Sequence, residues 1–173
     1  DIYIDDAYIS STKVMSRLST ITKSLDNDQE LRNVEEYRQK YPNANYLSFY
    51  GKKIDIKKNF KTEATKFKLQ DKLIYLLKIK SENAYSLQAF FSRFNLPDNA
   101  KFFVYNMNGM ILGSFSNKNV ITSDGSENVF VTQPIEGNEI YLELNVENEN
   151  DLADVDIEIN TVMHGFLNLY AAD

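Results

Sequence analysis

NEIYLELNV, residues 138–146, alternates apolar and polar side chains without a break. Ile140, Leu142, Leu144 and Val146 fall on one side of an extended chain, and Tyr141, Glu143 and Asn145 on the other. A period of two belongs to a strand, because successive Cβ atoms point to opposite faces. The pattern returns downstream, where Val155, Ile157 and Ile159 alternate with Asp156, Glu158 and Asn160. The acidic stretch ENENDLAD between the two reads as a loop. Upstream, NVFVTQPIEGN adds a further strand around Pro134 and ends in the turn EGN.

Earlier segments extend the pattern toward the N-terminus. YLSFY, KKIDIKKNF and TKFKLQ alternate, KLIYLLKIKS is a longer apolar run suited to a central strand, and SLQAFFSRFNL follows it. KFFVYNMNGMILGSF reads as strand, turn, strand, with Asn108-Gly109 supplying a turn that tolerates positive φ. About seven to nine short strands with closely spaced turns, and no helix among them, predict an antiparallel β-sandwich of jelly-roll type. One helix precedes them. In SLDNDQELRNVEEYRQKYP an acid at Asp26 or Asp28 caps the start, and Leu31, Val34 and Tyr37 recur at helical spacing. Arg38 and Lys40 favour the end, and Pro42 stops it. The expected organisation is an N-terminal extension over residues 1–60, carrying this short helix and packed on the sandwich, and a β-sandwich domain over residues 61–173.

Composition sets bounds on the chemistry. With 43% hydrophobic residues, 11 Phe and 11 Tyr in 173 residues, the chain buries a core without staples. There is no cysteine, which removes disulfides, thiolate nucleophiles and cysteine-based zinc sites. No apolar run is long enough for a membrane-spanning helix, and DIYIDDAYIS lacks the basic start and apolar stretch of a signal peptide. The net charge of −6 divides into +4 over residues 1–86 and −10 over residues 87–173, which two faces of one fold or a partner surface would explain.

His164 is the only histidine, so it is the only side chain that could complete a Ser-His-Asp arrangement. It sits in NTVMHGFLNLY on an apolar strand before a glycine. The preferred reading is therefore a strand-end histidine, packed or bonded to backbone, and not a base. Phosphate-cradling, metalloprotease and nucleophile-elbow motifs are absent. Calcium is a minor alternative at SDGSEN, with Asp124 and Glu127, or at ENENDLADVD, with Asp151, Asp154 and Asp156. The lysine-rich stretch GKKIDIKKNFKTEATKFKLQDKLIYLLKIK alternates with apolar residues as strands do, and lysine also protects sheet edges, so nucleic acid is not expected. Tyr41, Tyr46, Phe49 and Tyr50 in YPNANYLSFYG are either packing residues or an aromatic platform for sugar rings. No catalytic, cofactor-binding or metal-ligating residue is assigned.

From about residue 66 onward the chain resembles the segment found upstream of the catalytic domain in secreted bacterial trypsin-like serine proteases of the lysyl endopeptidase type. The resemblance runs through Ala84, Ser86 and Leu87, then Phe91, Phe94, Leu96 and Pro97, then Ala100, Val104 and Tyr105. It continues through Leu112, Gly113 and Phe115, and through Thr132, Pro134, Gly137, Asn138, Ile140 and Glu143 in FVTQPIEGNEIYLEL. It ends at VMHGF, so that His164 belongs to the signature of a non-catalytic domain. The resemblance implies a secreted or cell-surface, non-enzymatic pro-domain. Such a domain assists folding and latency by docking on a protease catalytic domain, in cis or after cleavage. Residues 119–173 contain no Lys or Arg, so a lysyl- or trypsin-type enzyme would not cut within them. The alternative function is a stand-alone cell-surface β-sandwich that binds glycan or protein.

Overall fold

The computed structural model describes residues 18–44, 49–69, 72–117, 121–122 and 128–171. The chain enters through β1 (Ser19–Ser24), helix α1 (Asn27–Lys40), β2 (Gly51–Asn59), the single turn α2 (Phe60–Glu63), β3 (Thr65–Leu69) and β4 (Lys72–Glu82). It continues through β5 (Ser86–Asn95), β6 (Lys101–Tyr105), β7 (Ile111–Phe115), β8 (Ile121–Thr122) and β9 (Asn128–Val131). It finishes with β10 (Ile135–Glu136), β11 (Glu139–Val146), a 3-10 helix (Glu149–Asp154) and β12 (Asp156–Gly165).

These strands form two sheets of six. The first runs β1-β4-β11-β6-β7, with β3 also on β4; the second runs β2-β12-β5-β9-β8, with β10 also on β5. β2 pairs with β12, β4 with β11, β5 with β9 and β6 with β7, all antiparallel. These four pairs are the rungs of one long hairpin ribbon. Rolling the ribbon adds the contacts β12·β5 and β11·β6 and places alternate rungs in opposite sheets. The result is the expected jelly-roll order. β4 is central, as its apolar run implied, because β11 lies on one side and β3 and β1 share the other. β1 is parallel to β4, and its first residue meets β3, where the Ser19 amide donates to Thr65 Oγ1 at 2.8 Å.

The core lies between the sheets. Leu73, Tyr75, Leu77 and Ile79 of β4 and Ile140, Leu142, Leu144 and Val146 of β11 face Leu87, Ala89, Phe91 and Phe94 of β5 and Ile157, Ile159 and Val162 of β12. Its centre is aromatic. Phe102 contacts Phe60, Phe91 and Phe94 edge-on at centroid separations of 5.3–5.7 Å, the geometry that brings a ring's positive edge to a negative face. β12 switches faces at a bulge near Asn160, so Thr161 and Val162 are both buried.

Three details depart from the sequence expectation. Residues 51–59, assigned there to the extension, form β2 and pair along β12, so the sandwich takes chain from both sides of residue 60. ENDLAD is a 3-10 helix and not an open loop, with Asn148 Oδ1 accepting from the Asn150 amide at its start. FKTE forms a single helical turn capped by Asn59, which drives Phe60 fully into the core. Helix α1 is in the predicted place: Asp26 accepts from the Gln29 amide, and the helix ends at Lys40 before Pro42. It buries none of its residues, so its apolar stripe does not enter the core.

Replacing Phe102 by Ala removes a fully buried ring at this aromatic junction. The expected loss is about 3–5 kcal/mol of unfolding free energy in urea titration. Ala at Val131, whose side chain is 43% exposed, is expected to change stability by less than about 0.5 kcal/mol.

Candidate functional site

His164 lies at the last inward-facing position of β12 and has no exposed surface. Its partners come from two elements. Ser81, at the end of β4, places Oγ 2.6 Å from Nδ1, and Asn27, the first residue of α1, places Oδ1 2.7 Å from Nε2. The amide of Asn27 is itself oriented, because its Nδ2 donates to the Asn83 carbonyl at 2.7 Å and that carbonyl can only accept. Oδ1 therefore faces the histidine as an acceptor. It follows that Nε2 carries the proton and Nδ1 accepts from the Ser81 hydroxyl. Burial pushes the imidazole below its ordinary pKa, and the nearby Glu30 carboxylate partly offsets this.

The sequence reading of His164 as a packed strand residue is refined in one respect: its ring bonds to two side chains and not to backbone. A serine hydroxyl donating to a neutral imidazole is the bond of a nucleophile and its base. Here Ser81 and His164 are both 0% exposed, so a substrate carbonyl has no approach to Oγ. The trio instead ties the second sheet to the first and to the start of α1. Lys52 of β2 adds an ion pair to Glu30 at 3.0 Å, which fixes the first turns of the same helix. Above this clasp lies an open depression of about 840 Å³, lined by residues 24–28 and 82–85.

A second buried polar group lies on the outer face of the first sheet. Phe67, Ile74, Leu76, Phe103, Tyr105 and Tyr141 form a second apolar cluster there, with Leu18 packed against it. Glu143 sits among them at 3% exposure and accepts from Tyr105 Oη at 3.1 Å. Burial raises its carboxyl from the ordinary 4.5 to about 7, against the lowering effect of the Tyr105 and Asn145 hydrogen bonds. Tyr141 stacks on Tyr105 with 5.5 Å between ring centroids, and burial together with Glu139 raises its phenol to about 12.

The remaining candidates separate. Asp156 and Glu158 are both held by Arg93, at 2.9 and 2.7 Å, and Asp151 accepts from Asn99 Nδ2 at 2.9 Å. Among the described residues no three His, Asp or Glu side chains come together to hold a metal ion. Asp124, Glu127 and Tyr46 lie outside the described residues. Tyr41 and Phe49 both contact the Tyr37 ring beside α1, whereas Tyr50 turns to the outer face of the second sheet, where Oη donates to Gln88 Oε1 at 3.2 Å. These aromatics do not share one platform. The lysines are largely engaged: Lys61 donates to the Leu152 carbonyl, Lys66 reaches Glu149 and Lys53 lies 4.3 Å from the Phe90 ring centroid. No helix among the described residues is long and apolar enough to cross a membrane.

The residues that carry the family resemblance are mostly interior. Tyr105 and Glu143 are bonded to each other, and Thr132 exchanges bonds with the Ala89 backbone through its amide and hydroxyl. Gly165 lies against Ser86, where a Cβ would meet the serine hydroxyl. Ser81 and Asn27, the partners of His164, were missed by motif reading. Ser81 had a signal: it continues the inward face of Leu77 and Ile79, and a polar residue there needs a buried partner. Asn27 had none, because its role depends on where α1 docks.

Two stability predictions follow from the buried groups. Unfolded Glu143 releases its proton near 4.5 and folded Glu143 near 7, so the folded state binds the extra proton and stability falls as pH rises across that window. Glu143→Gln is expected to remove this slope and to stabilise the fold by about 3 kcal/mol at pH 8, read by denaturant titration at several pH values. His164 acts in the opposite sense, with stability lost as pH falls below its ordinary 6.5. His164→Ala leaves buried Ser81 without its acceptor and is expected to cost about 2–4 kcal/mol at pH 8. Ser81→Ala with His164→Leu, which removes both ends of the Ser81–His164 bond and leaves only Asn27 Oδ1 without its donor, should cost less.

Compared with known proteins, the chain matches no family model, no curated protein and no solved structure.

Proposed function

We propose that this chain is a non-catalytic accessory domain, the N-terminal pro-domain of a secreted bacterial serine protease, and that it works by docking on the catalytic domain. The observation that carries the reading is the use made of His164. The only histidine has both ring nitrogens committed inside the clasp and no exposed surface. The residues of the resemblance support the same view, since Tyr105, Glu143, Thr132, Ser86 and Gly165 serve packing and hydrogen bonding. A domain that recognises by surface needs a rigid scaffold, and interior motif residues provide one. A second reading, glycan binding, has one observation in its favour: Tyr50 and Gln88 form a bonded pair on the outer face of the second sheet beside Phe90.

The test is to read the open reading frame around this chain for a serine protease domain, whose absence would overturn the reading, and to produce that domain alone and with the chain supplied in cis or in trans. The expected outcome is at least about a tenfold gain in correctly folded protease with the chain present, and latency until the chain is removed. Equal yield and equal activity without the chain would overturn the reading. Carbohydrate-dependent binding on a glycan array would then favour the second one.

A further inference from the structure

The exposed large apolar side chains are unevenly placed. One end of the sandwich is where β5 and β11 begin and where β12 ends. Ser86 pairs there with both Gly165 and Glu136, and Gly165 pairs with Gly51. Tyr85 donates its amide to the Gly165 carbonyl and accepts from the Gly137 amide. The β6–β7 loop belongs to the same end, because Asn106 Nδ2 donates to the Glu136 carbonyl at 2.9 Å. So does the C-terminal segment, whose Phe166 and Leu167 amides both reach the Tyr50 carbonyl, and whose Tyr170 phenol feels Glu136 and Tyr50. Six exposed side chains gather here: Tyr85 (42%), Met107 (49%), Met110 (36%), Ile111 (39%), Leu169 (60%) and Tyr170 (40%). The opposite end, around residues 96–100 and the 3-10 helix, has no exposed large apolar side chain among the described residues.

The β6–β7 loop at this end is braced by its own hydrogen bonds. Asn106 Oδ1 accepts from the amides of Asn108 and Met110, at 3.1 and 3.0 Å, and the Asn106 amide donates to the Met110 carbonyl. Met107 and Met110 are thus presented on a loop whose conformation is already set, so little ordering entropy is lost on contact. Tyrosine and methionine are the side chains enriched at protein interfaces, and a contiguous apolar patch on an otherwise polar surface marks one. Acids predominate around it, with Lys23 and Lys80 among them. Asp26, Asp28 and Glu82 line the depression next to Tyr85, Glu136 lies beside Tyr170, and all four are exposed. Among the described residues none of the four takes part in an ion pair.

We propose that this end of the sandwich is the docking surface, and that it receives a folded protein face with an apolar centre and a basic rim. The assignment rests on the accessory-domain reading above and identifies that face with the protease catalytic domain. The apolar centre supplies the adhesion. The acids orient the encounter and make association faster at low salt.

The experiment measures binding of the chain to the protease domain encoded with it, using a protease inactivated at its nucleophile, by calorimetry or interferometry at two salt concentrations. Met107→Asp with Met110→Asp, both on the exposed loop, is expected to weaken binding by about 30-fold or more. Glu82→Lys with Glu136→Lys is expected to slow association and to flatten its salt dependence. Val131→Asp, at an exposed apolar residue on another face, should leave binding unchanged. Circular dichroism and melting of each variant separate lost binding from lost fold. If the wild type binds and the methionine variant binds equally well, the surface assignment is overturned while the accessory-domain reading stands. If the wild type does not bind, that reading fails. Light scattering that shows a dimer abolished by the methionine variant would assign the surface to a second copy and overturn the proposed occupant.

Discussion

The bonds of His164 hold together parts of the molecule that packing alone would leave separable. Two sheets can slide or splay over an apolar interface, because hydrophobic contact has no direction. A buried imidazole with a donor to one side and an acceptor to the other does have direction. Ser81 fixes the end of β4 against β12, and Asn27 fixes the start of α1 against both. The helix depends on this most, since it buries none of its own residues and is held at its first turns by Asn27, by the Lys52 ion pair and by the cap at Asp26. The same logic explains why Gly165 follows the histidine, because the strand passes Ser86 too closely there for a side chain.

A second theme is the balance between two buried titratable groups. Glu143 prefers to be protonated in the fold, and His164 prefers to be neutral. One loses stability as pH rises and the other as pH falls, so the fold is most comfortable where the acid is still largely protonated and the base is already neutral. Both groups are hydrogen-bonded, which limits the penalty at either extreme. Tyr105 contributes by bonding Glu143 in either state, since its hydroxyl can donate to the anion or accept from the acid.

Much of the fold was legible because alternation is a local signal. The inward residues of β11, and those of β12 as far as Ile159, are the ones the period of two selected, whereas the bulge near Asn160 reverses the period for Val162 and His164; the helix has the cap and stop expected from Asp26 and Pro42. The jelly-roll order was legible only as a class. Which rungs pair depends on the rolling of the ribbon, a long-range event that no short window contains. The place of β2 was less legible: KKIDIKKNF alternates as a strand should, with Ile54 and Ile56 inward, but its pairing along β12 is long-range and nothing local assigns it to one side of residue 60. The candidate site was the least legible. His164 stood out by being unique, but Asn27 lies 137 residues away in sequence and has nothing local to mark it.

The ribbon has a consequence for synthesis. β12 lies between β2 and β5 and is the last of the described strands, so these two have no common neighbour until residues 156–165 exist. A nascent chain released strand by strand from the ribosome can form the β6–β7 hairpin early, but it cannot close the second sheet or seat α1 on His164 until residues 156–165 are available. Long-range pairing of this kind folds slowly. Up to that moment the aromatic centre around Phe91, Phe94 and Phe102 stays open to whatever holds unfinished chains.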